Sequence, residues 1–143
     1  VGTLNARLLP VAWGEPVTLL VAPESVPAGF PSPSQDYASD ELDLNERLIR
    51  DRVSTFVWKA AGHSMTEAGL HDGDLLLVDR GVDPVPGHIV VAVVDGEYTV
   101  KRLDLVGKRL VLRAEAPGYR DIIPGELSET SIWGVVTWVL HQT

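Results

Sequence analysis

A chain of 143 residues supports one domain with a substantial core and is too short for two full ones. Its net charge of −8 argues against binding nucleic acid through its own surface. The lack of cysteine excludes disulfides, thiolate catalysis and cysteine-ligated metals, and suits a reducing cytoplasm.

Residues 1–42 hold six of the ten prolines, at positions 10, 16, 23, 27, 31 and 33. Proline at that density blocks helices and central strands, so the region reads as an extended, proline-rich N-terminal arm, with one short edge strand over Val17–Ala22. Pro10, Gly14, Glu15 and Pro16 break any leader pattern within residues 1–20. A β-rich domain is expected over 43–143. It opens on "DLNERLIRD", where Asp43 can cap a helix and Glu46 completes a capping-box pattern. Leu44, Leu48 and Ile49 would form that helix's apolar stripe.

Strands are predicted beyond residue 52. Val53–Ala60 is β-branched and aromatic, and Asp74–Asp79 and Ile89–Val94 are short apolar runs. In "VVDGEYTV", Asp95-Gly96 between two strand-like runs is a strong hairpin signal. A second turn at Gly107-Lys108 joins Thr99–Leu105 to Arg109–Ala114, and Ile132–Leu140 is the last strand. No apolar run reaches the ~18–20 residues that span a bilayer, so no membrane segment is expected.

The stretch of most chemical interest is "AAGHSMTEAGLHDGDLLLVDR", Ala60–Arg80. A serine hydroxyl is a weak nucleophile and needs a positioned base. His63 adjoins Ser64, but adjacent side chains diverge on an extended segment or tight turn, so His63 reads better as an exposed polar neighbour. His71, His88 and His141 lack ligand-like spacing, and no metal is expected. Asp72 and Asp74, two apart at a strand start, read as turn caps. Gly69, Gly73 and Gly81 read as turn residues around that strand. Trp58, Trp133 and Trp138 read as core or dimer-contact aromatics.

Lys101, in "GEYTVKRLDL", shares a strand face with Thr99 and Leu103. Burial beside Leu103 would depress its pKa and leave an amine able to take a serine proton. Spacing alone equally describes a solvated strand lysine, the commoner case.

The segments "AGFPSP" (28–33), "DLNERLI" (43–49), "GHSMTEAGLHDGDLLLVDR" (62–80), "GHIVVAVVDGEYTVKRL" (87–103) and "WGVV" (133–136) resemble the LexA/UmuD-type self-cleaving serine peptidases. The resemblance implies a mainly β fold of curved antiparallel strands with a short helix and an extended arm. It implies Ser64 as nucleophile, Lys101 as general base, the Ser64 and Met65 amides as oxyanion hole, and Ala28-Gly29 as the bond cut in the chain's own arm. It further implies an SOS-response function: a cytoplasmic homodimer, stimulated by a RecA–single-stranded DNA filament, that serves the UmuC subunit in translesion synthesis, with the polymerase sliding clamp as a further partner. No cofactor is implied. The chain departs from the best-known member at Ala28, where that protein has cysteine, and at His63, where an acidic residue is common; residues 1–27 match poorly.

Three other functions share parts of this pattern. A LexA-like repressor requires a helix-turn-helix that a proline-interrupted arm cannot supply. A membrane signal peptidase shares the Ser-Met and lysine pattern but needs an anchor. A non-catalytic polymerase-binding module would be expected to have lost Ser64 or Lys101, and both are present.

Overall fold

The computed structural model describes residues 8–10, 18–22, 25–31, 40–125 and 129–143. Much of the arm, including Val17 and Pro16, Pro23 and Pro33, lies outside them. The described residues form β1 (Leu8–Pro10), β2 (Thr18–Val21), β3 (Asp40–Asp43), α1 (Leu44–Leu48), β4 (Thr55–Lys59), β5 (Leu75–Asp79), β6 (Ile89–Val94), β7 (Glu97–Val106), β8 (Arg109–Arg113) and β9 (Thr130–Leu140). A 3-10 turn covers Thr66–Ala68. The fold is mainly β with one short helix among the described residues, as expected for the LexA/UmuD type.

Seven strands make one antiparallel sheet in the order β1-β4-β5-β9-β6-β7-β8, and β2 pairs with β3 as a separate ribbon. The β6–β7 hairpin turns on Asp95 (φ 49°) and Gly96 (φ 81°), the left-handed pair that an Asp-Gly turn provides. β9, in mid-sheet, is bulged on both sides: its register shifts against β5 between Leu77 and Val78, and against β6 between Val91 and Ala92. Bulges add twist and bend the sheet. Where β9 passes β5, a Cβ on Gly134 would meet Val78 Cγ1 at 2.7 Å, so the close approach needs glycine.

Period-2 alternation gives the bent sheet two apolar faces. Val91 and Val100 join Trp58, Ala60, Met65, Leu70, Leu76 and Val78 on one side. Val90, Ala92 and Leu103 join Leu112 and Val135 on the other. Trp133 lies against Phe56 and Trp58, ring centroids 5.4 and 5.0 Å away, with the Arg80 guanidinium 4.5 Å from its own ring centroid.

Two expectations need correction. Asp43 does cap α1, its carboxylate accepting from the Asn45 amide at 3.0 Å, but the helix stops at Leu48. Ile49 is extended (φ −116°, ψ 107°), and Leu44 is 43% exposed, so the expected stripe does not form. The early stop lets Arg50 reach back to Asp79. Val53 is 82% exposed and outside β4, because the Asp51 carboxylate accepts from the Val53 amide in a local turn.

Asp79 ties the entry segment to the sheet. It is 1% exposed and accepts from Arg50 Nε (2.9 Å) and Nη2 (3.2 Å), Ser54 Oγ (2.6 Å) and the Gly81 amide (2.8 Å). Burial alone would raise its pKa, but the bonds from Arg50, Ser54 and Gly81 outweigh burial and hold it below the ordinary 3.8. Asp79→Asn is expected to lower the unfolding free energy by about 3 kcal/mol at neutral pH, read by denaturant titration. The folded-state pKa is depressed, so the carboxylate's contribution is complete above about pH 4 and is lost as pH falls through the folded value. Wild type and variant should therefore converge in acid.

Candidate active site

The chain leaves β4 at Lys59 and makes a tight loop before β5. Backbone bonds between Ala60 and both Asp74 (2.8 Å) and Gly73 (2.8 Å) close its base. The Gly62 amide donates to Asp72 Oδ1 at 2.8 Å, and the His71 amide to Asp74 Oδ2 at 2.8 Å. Both aspartates are thus turn caps, as their spacing suggests. At the tip, Met65 is 2% exposed and packs into the Trp58 cluster, which fixes the depth of its neighbour Ser64, itself 5% exposed. A second support comes from beyond β8: the Glu115 amide donates to the Ser64 carbonyl at 2.8 Å, and the Glu67 amide donates to the Glu115 carbonyl at 2.8 Å.

Beneath Ser64 lies Lys101. It stands opposite Val90 in the β6–β7 ladder, on the face shared with Thr99 and Leu103, and it has no exposed surface. Its Nζ is 3.1 Å from Ser64 Oγ, 3.0 Å from Thr99 Oγ1 and 3.1 Å from the Val100 carbonyl oxygen. Burial pushes the amine's pKa down from 10.5 to about 8. The structure therefore decides between the two readings that the spacing left open: Lys101 is a buried lysine, 37 residues from Ser64 in sequence and within hydrogen-bond distance in space.

The other candidate residues are arranged differently. His63 is exposed and, among the described residues, makes no hydrogen bond with Ser64. His88 Nδ1 accepts from the Val85 amide at 3.2 Å. His141 Nδ1 lies 2.5 Å from Asp74 Oδ1, with its ring 5.0 Å from that of His71, a grouping that 67 residues of separation hid from sequence reasoning. For Asp74, burial would raise the pKa, but the His141 bond and the His71 amide bring it below 3.8. Trp58 is core and Trp138 is 39% exposed. Ala28 and Gly29 are exposed, in the segment between β2 and β3, and a Cβ on Gly29 would meet nothing within 4 Å. Thr99 was missed as a site residue, although alternation already placed it on the lysine's face.

Among the described residues no helix is long and apolar enough to cross a membrane, and no cluster of three His, Asp or Glu side chains could hold a metal ion. The Peptidase S24-like family matches residues 20–137, a span that includes both Ser64 and Lys101. The chain belongs to that family. The S24 match accords with three relatives. Protein SamA of Salmonella typhimurium (strain LT2) is 50% identical over 84% of this chain and 83% of its own length. Protein ImpA of Escherichia coli is 48% identical over 81% of this chain and 79% of its own. Protein MucA of Escherichia coli is 40% identical over 83% and 82%. The resemblance read from the sequence segments is thereby established, and the S24 assignment makes the chain a serine peptidase by family.

The depressed lysine pKa has a consequence for stability. Between pH 8 and 10.5 the unfolded chain holds a proton that the folded chain has released, so stability rises with pH across that window and the burden of a charged amine is greatest below it. In a Ser64→Ala background, Lys101→Met should therefore gain most relative to its parent near pH 7. That advantage should shrink by about 2–3 kcal/mol as pH approaches 10.5. Denaturant midpoints at the two pH values provide the check.

Proposed function

We propose that this chain is a self-cleaving serine peptidase of the SOS response that cuts its own arm between Ala28 and Gly29, with Ser64 as nucleophile and Lys101 as general base. The observation that carries this reading is the 3.1 Å approach of a fully buried lysine amine to the serine hydroxyl. A neutral amine has two N–H groups and one lone pair. With Val100 O and Thr99 Oγ1 within reach of the N–H groups, the lone pair would take the Ser64 hydroxyl proton.

Ser64 Oγ would add to the Ala28 carbonyl carbon as its proton moves to Lys101 Nζ. The resulting oxyanion would be met by the Ser64 and Met65 amides, which donate to no carbonyl among the described residues. Lys101 then gives the proton to the Gly29 nitrogen, the C–N bond breaks, and water hydrolyses the Ala28 ester on Ser64. Ala28 and Gly29 have no bulky side chain to obstruct this approach, and Pro27 and Pro31 favour extended flanks.

In the described state the bond stands free in solvent, so cutting requires the arm to move onto Ser64. That movement is the step at which a RecA–single-stranded DNA filament would act. The bond lies between β2 and β3, so a cut would separate the two strands of that ribbon covalently. Residues 1–28 would leave, and the trimmed homodimer would serve the UmuC polymerase subunit in translesion synthesis, with the sliding clamp as a further contact.

Incubation at alkaline pH, followed by intact mass, tests the chemistry. A single cut should leave a 115-residue product (143 − 28), and Ser64→Ala and Lys101→Ala should each abolish it. Because Lys101 must be neutral to act, the first-order rate should rise about tenfold per pH unit below 8 and level off above it. A chain left whole both in alkali and with activated RecA filament would refute the reading. Loss of cutting in His63→Ala but not in Lys101→Ala would reassign the base.

A further inference from the structure

Lys101 and Ser64 lie on separate elements, and the structure shows what joins them. The β7–β8 ladder ends at the pair Arg102↔Arg113. Two residues past that point, Glu115 carries the Ser64 loop through its own backbone, accepting from Glu67 and donating to Ser64. Arg102, the residue after Lys101, reaches Glu115 with a two-pronged ion pair: Nε to Oε2 at 2.7 Å and Nη2 to Oε1 at 3.2 Å. Its third nitrogen, Nη1, donates to the Gly87 carbonyl at 2.9 Å, which fixes the plane of the guanidinium. Gly87 is in turn bonded to the Leu103 carbonyl at 2.8 Å. A continuous path thus runs from the lysine's backbone through Arg102 and Glu115 to the carbonyl of the serine.

We propose that Arg102 and Glu115 are positioning residues whose ion pair holds the strand bearing Lys101 and the loop bearing Ser64 at reacting distance. This deepens the serine–lysine reading and rests on it. The two side chains are 32% and 31% exposed, so the pair adds little to stability, as exposed ion pairs generally do. What the bidentate fork supplies is direction, because two parallel bonds fix both distance and orientation where a single charge contact would not. The need for such a fix is chemical: a displacement of about 1 Å between reacting groups can cost roughly a hundredfold in rate. Loosening the loop would also admit water to a lysine that is now wholly covered.

Two measurements on Arg102→Gln, Glu115→Gln and the double variant test this. The first is the self-cleavage rate at alkaline pH. Each single variant should fall about tenfold to a hundredfold, and the double should fall no further, since the two residues act as one unit. The second is a ¹³C-lysine NMR titration in a Ser64→Ala background, where three lysines give a simple spectrum. The Lys101 midpoint should move from about 8 toward 10.5 in all three variants, with little change in thermal midpoint. Unchanged rates, an unmoved lysine midpoint, or losses that add in the double variant would each overturn the proposal. The titration does not depend on cutting. A wild-type chain that never cuts would defeat the peptidase reading, whereas a lysine midpoint indifferent to Arg102 and Glu115 would defeat the clamp alone.

Discussion

The structure turns on one amine kept out of water. A lysine with no exposed surface is held charged only at a large desolvation cost, and it resolves that strain by giving up its proton more readily. Much of the fold serves to maintain that condition. Lys101 pairs with Val90 of β6 just past the end of the β7–β8 ladder, and Val90, Ala92, Leu103 and Leu112 fill the sheet face around it. The Ser64 loop closes over the remaining side, anchored by Met65 in the opposite apolar cluster and by Glu115. The Ser64 hydroxyl joins Thr99 Oγ1 and the Val100 carbonyl around the amine, and the arm is expected to arrive from outside.

The same sheet sets the limits of what the residues can do. Its two bulges on β9 bend it enough to give two cores, one beneath the serine loop and one around the lysine. Ser64 and Lys101 therefore meet at a junction of packed layers rather than on a flexible surface, which favours a preset geometry. The proposed substrate bond, by contrast, lies in an exposed segment. A preset serine–lysine pair and an exposed bond make placement of that bond, rather than assembly of the pair, the step at which the proposed self-cleavage would be controlled.

Much of the fold could be read from the sequence where one physical rule dominates. The β6–β7 hairpin followed from Asp95-Gly96, whose left-handed turn matches strand twist, and Ile89–Val94 emerged with its predicted bounds. The helix was placed by its Asp43 cap, yet its end was overestimated, because a capping signal marks where a helix starts and nothing in Leu48-Ile49-Arg50 reveals the distant pull of Asp79. Val53 has strand propensity, which the Asp51 turn overrides. Alternation placed Lys101 on a face with Thr99 and Leu103, but burial depends on the Ser64 loop, and spacing could not show that the loop folds back over it. Glu115 was invisible for another reason: it supports the serine through its backbone, and Arg102 reaches it by a diagonal side-chain contact.

Since the chain contains no cysteine, the proposed base can be replaced chemically at a single position. Lys101→Cys, alkylated while unfolded to carry an aminoethyl group and then refolded, restores a side chain of lysine length with a less basic amine. If the position 101 amine takes the Ser64 proton, arm cleavage should be absent in the cysteine variant, return on alkylation, and reach half its limiting rate at a lower pH than in wild type. Cleavage by the unalkylated variant, or restored cleavage with an unshifted pH midpoint, would contradict the assignment of Lys101 as the base.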